Sequence, residues 1–211
     1  MRMTYPQKEK LLNIVTHAVG IPLSLAALWL LVEKASAVGT AAHVVSVCIY
    51  ATTMLLLYTA STLAHYYTEG EKNDLFVIFD HSAIFLYIAG SYTPIVLHVI
   101  AGPLGETLFR IIWGIALAGV VFKYFLAKRF RYASTLIYLL MGWLIVLGWD
   151  PMKEGMGWGG LALLATGGVL YTVGTVFFLW RICRYHHAVW HLFVLAGSAC
   201  HFMSVYWFVL A

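Results

Sequence analysis

The sequence predicts an all-α integral membrane protein: a bundle of seven transmembrane helices with a cytoplasmic N-terminus and an outside C-terminus. Three observations carry this expectation. The first is composition. Of 211 residues, 62% are hydrophobic and 10% are charged, whereas soluble globular chains carry about 25% charged residues. So few charges leave too little polar surface to cover a soluble fold. The second is segmentation. Apolar stretches long enough to cross about 30 Å of hydrocarbon as helices recur at 14–32, 41–66, 75–98, 105–126, 132–150, 157–181 and 187–210. The third is the placement of basic residues, which are retained on the cytoplasmic side. Seven crossings put Arg2, Lys8, Lys10, Lys72, Lys123, Lys128, Arg129, Arg131, Arg181 and Arg184 on one side and Lys34, Arg110 and Lys153 on the other. Six or eight crossings would mix the two sets.

Each element can be justified in turn. Before the first span, Lys8 and Lys10 precede an apolar run to Val32, and Ala35-Ser36-Ala37 follows it, an arrangement that imitates a signal peptide. Asn13 and His17 interrupt the run and Glu33-Lys34 sits just before the cleavage-like site, so a retained span is expected. The breaks that follow are Thr68 to Asp74, Ala101-Gly102-Pro103 with Gly105-Glu106, Lys128 to Arg131, Asp150 to Gly155 and Arg184-Tyr185-His186. Pro22 and Pro94 fall inside spans one and three, where a missing backbone donor can kink a helix. Span six is rich in small residues (Gly159, Gly160, Gly167, Gly168, Gly174), which suits close helix packing. Trp149, Trp158 and Tyr132 lie near span ends and read as an aromatic belt. Cys48, Cys183 and Cys200 are scattered, odd in number and without a CxxC spacing, against both a disulfide framework and a thiolate zinc site. No linker or low-complexity tract divides residues 1–211, so one domain is expected. The net charge of +4 is modest, and nothing points to nucleic acid.

Against this apolar background, five polar residues fall at the cytoplasmic ends of three spans. Ser61 and His65 are spaced i,i+4 at the end of span two, and His187 and His191 repeat that spacing at the start of span seven. Residues so spaced share a helix face. Asp80 lies about two turns inside span three if that helix begins near Leu75. An ionisable side chain within a membrane costs about 3 kcal/mol on insertion scales, so several at one depth call for a reason. A histidine pair can serve only as an interhelical hydrogen-bonding pair, and Asp80 can simply pair with a basic residue. Taken together they point to zinc. Three protein ligands and an open position form the usual catalytic arrangement, and His65, His187 and His191 can supply three corners of a tetrahedron. Asp80 can orient a water, accept its proton or hold an imidazole. Ser61 can bond to that water, to a substrate carbonyl or to Asp80. A second stripe, Glu9, Asn13 and His17, each four residues apart, lies at the start of span one. It reads equally as a capping and interface stripe or as support for the site.

The pattern Glu9-x3-Asn13-x3-His17, Ser61-x3-His65, Asp80-His81-Ser82-Ala83-Ile84-Phe85 leading to Ala89-Gly90-Ser91-Tyr92-Thr93-Pro94, and His187-x3-His191 resembles the bacterial hemolysin III branch of the progestin and adipoQ receptor family. The resemblance covers nearly the whole chain. It implies a seven-helix bundle in the bacterial cytoplasmic membrane with zinc near the cytoplasmic face. His65, His187 and His191 are then the implied ligands, with Asp80 and Ser61 beside them. The wider superfamily includes alkaline ceramidases, which implies hydrolysis of a lipid amide or ester and a lipid substrate arriving from the bilayer. Two other functions compete with this one: a non-enzymatic sensor of membrane state with a structural zinc, and a pore-forming cytolysin. The cytolysin finds little support, because no amphipathic secreted segment is present.

Overall fold

The computed structural model describes residues 3–126 and 130–211, and every element in it is helical. Arg2, Lys128 and Arg129, three of the basic residues counted above, lie outside the described residues. Helices α1 (Tyr5–Ala18) and α2 (Gly20–Val38) run on from one another, followed by α3 (Ala41–Tyr66) and α4 (Gly70–Ile95), which continues as a widened π-turn over Val96–Ile100. Next come α5 (Gly102–Leu126), α6 (Arg131–Trp143), a tightened 3-10 turn (Leu144–Gly148), α7 (Trp149–Leu179) and α8 (His186–Ser204), which ends in a second π-turn over Val205–Val209. Six continuous helical runs among the described residues are long and apolar enough to cross a membrane. Their outward faces carry exposed Trp29, Leu56, Leu117, Phe125 and Leu140, side chains that suit lipid.

The helix ends follow local chemistry. Thr4 opens α1 with its backbone N–H donating to Gln7 Oε1 (2.9 Å), and Pro6 occupies the first turn, where its missing donor costs nothing. Gly39 closes α2 in the left-handed region (φ 89°), and the Thr40 hydroxyl then accepts from the His43 N–H at 3.3 Å to start α3. His186 Nδ1 donates to the Phe177 carbonyl (2.8 Å), one of the free acceptors at the end of α7.

Several boundaries differ from the sequence expectation. The first helical run covers Tyr5–Val38, well beyond the predicted 14–32, because Lys34 is not a loop residue. Its ammonium donates to the Tyr206 carbonyl (2.6 Å) and rests 4.4 Å from the centre of the Tyr206 ring. Helix α4 begins at Gly70 rather than near Leu75, so much of the expected Thr68–Asp74 loop is helical and Asp80 sits deeper along its helix. Asp150 to Gly155, expected as a loop, also forms helix, with Met152 and Met156 buried beneath it.

The expected spans five and six lie in one run, Tyr132–Leu179. That run doubles back. Trp143 Nε1 donates to Thr172 Oγ1 at 3.1 Å although the two are 29 residues apart, a separation of about 43 Å in a straight helix. Two breaks allow the reversal. The Tyr92 hydroxyl donates to the Met141 carbonyl and accepts from the Ile145 N–H (both 2.6 Å), inserting itself into the helical ladder where α6 ends. Gly157 then adopts φ 60°, ψ −174°, a conformation essentially restricted to glycine. Pro94, by contrast, stays within α4. Just downstream the backbone widens, with the Ala101 N–H donating to the Val96 carbonyl (3.0 Å).

Tyr50, Tyr58, Phe85, Leu31, Ile112 and Met141 form the centre of the buried core. Helices α7 and α8 meet across small residues, as expected for the glycine-rich stripe: a Cβ on Gly174 would lie 2.7 Å from the Trp190 ring. This close pairing holds the start of α8 against α1 and α3, where the polar residues gather.

Candidate metal centre

Two helices bring the histidines together. His65 comes from the last turn of α3, and His187 and His191 come from the first two turns of α8. Each offers a ring nitrogen, and these nitrogens lie within 4.8 Å of one another. Ligands on a tetrahedral zinc are about 3.4 Å apart, so the three rings surround a space of the right order. The ring centroids are 4.9 Å apart for His65 and His187, 5.0 Å for His65 and His191, and 4.6 Å for His187 and His191, with interplanar angles of 67°, 57° and 72°. Rings tilted this steeply turn edges, and therefore lone pairs, toward one another instead of stacking. His65 Nε2 is buried and has no hydrogen-bond partner. An orphaned buried nitrogen is costly, and a cation in the shared space would satisfy it. The donor set, three imidazoles, fits zinc.

Asp80 and Ser61 join the same region. Ser61, 2% exposed, lies beside the Asp80 carboxylate. Both line a cavity with His17, His187 and His191. That cavity has a volume of about 120 Å³, is partly open to the surroundings, and extends past Ile84, Ile88, Leu139 and Trp143. A second space of about 60 Å³ continues from it, sharing Ser91, Tyr92, Gly142, Trp143, Gly168 and His201. The polar residues therefore stand at one end of a long, mostly apolar slot.

The stripe on α1 divides. His17 is buried and stacks on His191, with centroids 3.5 Å apart and planes at 28°. Lying on the ring face, it does not aim at the space the other three share, and neither of its nitrogens has a hydrogen-bond partner. Asn13 is buried one turn away, with its backbone against the His191 side chain. Glu9 is half-buried a further turn out and does not line the cavity.

Other histidines engage backbone carbonyls or one another. His81 Nδ1 donates to the Val77 carbonyl (2.8 Å), and His201 Nε2 to the Leu164 carbonyl (3.2 Å). His43 and His98 stack with centroids 3.8 Å apart, remote from the trio.

Two features were not read from the sequence. Thr16 Oγ1 lies 2.9 Å from His191 Nδ1. The Tyr58 and Tyr87 hydroxyls donate to Ser198 Oγ at 2.8 and 3.0 Å, and the Tyr171 hydroxyl lies 3.1 Å from the same atom. This buried hydroxyl cluster forms part of the cavity wall through Tyr87 and Tyr171. The mid-span position of these tyrosines was the available signal, since belt tyrosines sit at span ends.

Comparison with known proteins agrees with the family resemblance. Residues 5–202 match the Haemolysin-III related family. The chain is 49% identical over 209 residues to Hemolysin-3 of Bacillus cereus, covering 99% of this chain and 95% of that one. It is 46% identical over 198 residues to the Hemolysin-3 homolog of Bacillus subtilis (strain 168), covering 94% and 93%. It is also 30% identical over 165 residues to the human monocyte to macrophage differentiation factor, covering 75% and 68%. No solved structure matches the chain. The chain thus belongs to the haemolysin III family of multi-pass membrane proteins, the family its polar motifs resemble.

Proposed function

We propose that this protein is a zinc-dependent hydrolase of the bacterial cytoplasmic membrane, acting on an amide or ester bond of a lipid that enters from the bilayer. In this reading residues 1–211 form one seven-pass domain with the N-terminus inside. The doubling back of Tyr132–Leu179 supports the seventh crossing, and the ten-to-three distribution of basic residues supports the orientation. His65, His187 and His191 would hold zinc. Zinc bound there would supply a Lewis acid that polarises a carbonyl and acidifies water.

The observation that carries the proposal is the cavity. It joins the polar group to an apolar slot, so a lipid chain can lie along Ile84, Ile88, Leu139 and Trp143 while its polar linkage rests beside Asp80. A zinc that served only structure would need no such space beside it. Asp80 is placed to take a proton from an attacking water and return it to the leaving group. Ser61, beside Asp80, orients the carboxylate. The low polarity of the slot excludes bulk water and strengthens these interactions.

The test uses purified, detergent-solubilised protein with its zinc measured by elemental analysis and a panel of N-acyl sphingoid bases and glycerolipids. Release of fatty acid by the wild type, lost in Asp80→Asn at unchanged zinc content, is the expected result. Zinc-loaded protein that releases nothing from any amide or ester overturns the enzyme and leaves a structural zinc in a membrane sensor. Conductance in liposomes that survives every site substitution would instead point to a pore.

A further inference from the structure

We infer that Thr16 is a positioning residue that fixes the tautomer of His191, holding a proton on Nδ1 so that Nε2 presents its lone pair to the metal space. The inference rests on the zinc site proposed above. It follows from counting donors. The Thr16 hydroxyl has one proton, and two acceptors of that proton lie close: the Leu12 carbonyl at 2.7 Å and the Asn13 carbonyl at 3.2 Å. Both belong to the preceding turn of α1, and a carbonyl can only accept. With its proton given to Leu12, Thr16 Oγ1 has only lone pairs left for His191 Nδ1 at 2.9 Å. In that arrangement His191 is the donor in the bond.

A neutral imidazole that carries its proton on Nδ1 is bare at Nε2. The opposite tautomer would place an N–H in the metal space and would need the Thr16 hydroxyl to turn its proton from the Leu12 carbonyl to Nδ1. His191 is 1% exposed, so no bulk water reaches the ring to compensate. His17, stacked on the ring face, restricts rotation of the same imidazole. Helix α1 thus prepares a ligand carried by α8, and a residue that does not touch the metal space controls which nitrogen faces it.

Two substitutions and one spectrum test this. Thr16→Val keeps the branched shape and removes the hydroxyl, whereas Thr16→Ser keeps the hydroxyl. Zinc affinity, measured by competition with a chromophoric chelator, should fall about 10- to 100-fold in Thr16→Val and stay close to wild type in Thr16→Ser. NMR of the zinc-free wild type with isotope-labelled histidine, assigned by the signal lost in His191→Gln, should show the proton of His191 on Nδ1. Thr16→Val binding zinc as tightly as wild type overturns the inference, and so does a His191 proton found on Nε2. Should the wild type take up no zinc, the metal reading fails, while the spectrum still decides the tautomer. Should Thr16→Val not fold, the wild-type spectrum alone decides.

Discussion

Two histidine groups sit in this bundle, and among the described residues one of them brings three ring nitrogens close enough to hold an ion. His65, His187 and His191 come from the ends of α3 and α8 with interplanar angles of 57° to 72°. His43 and His98 come from α3 and the widened end of α4, and their planes differ by 13°. Lone pairs lie in the ring plane, so parallel stacked rings send them in parallel directions and tilted rings can make them converge. The hydroxyl partners differ in the same sense. Ser46 donates to the His43 carbonyl (2.8 Å) and accepts from His98 Nε2 (2.9 Å), and Thr40 bonds to His43 Nδ1. In the trio, His65 Nε2 has no partner. Identical side chains in one membrane protein thus form a stacked clasp in one place and, in another, a close set in which one buried nitrogen has no partner. Convergence with an orphaned nitrogen is the mark of a site.

The comparison can be broken most directly by removing ligands. His191→Ala or His187→Ala should take zinc in purified protein from about one ion per chain to near none, while His98→Ala should leave it unchanged. Equal loss from both would erase the distinction between the groups. Asp80→Asn should keep the zinc and lower lipid turnover by about 10² to 10⁴, the usual range for a general acid–base group. A matching loss of zinc would move Asp80 from proton transfer to metal support. Ser61→Ala should cost about ten-fold in turnover, consistent with about 1.5 kcal/mol for a hydrogen bond to a charged acceptor. Full turnover in that variant would remove Ser61 from the site. The smallest site effect should come from Gly157→Ala. Its φ of 60° predicts destabilisation by about 1–3 kcal/mol in a thermal or denaturant titration, with zinc content unchanged because the kink lies far from the trio.

The parts read correctly from the sequence share a reason. Repeats of i,i+4 and alternation of apolar runs with basic breaks are local, and a helix converts them into faces and ends without reference to its neighbours. Ser61 with His65, and His187 with His191, were legible for that reason. Helix ends were less so. Lys34 and Asp150 to Gly155 look like loop residues, yet Lys34 is held by the Tyr206 carbonyl and Met152 and Met156 anchor the second segment from below. Polar composition marks a turn only where no neighbouring helix offers a partner.

By itself, the sequence determined that the chain is a helical membrane protein of the haemolysin III family and that three histidines, an aspartate and a serine belong to one end of it. Spacing and hydropathy are properties of single helices, and these suffice for that much. Only the tertiary structure decided which rings converge, that His17 lies on a ring face, that a slot opens beside Asp80, and that Thr16 faces His191 Nδ1. Each of these depends on how α1, α3, α4 and α8 pack against one another. Helix rotation and side-chain rotamer together set whether imidazoles stack or tilt, and no spacing within one helix encodes that angle.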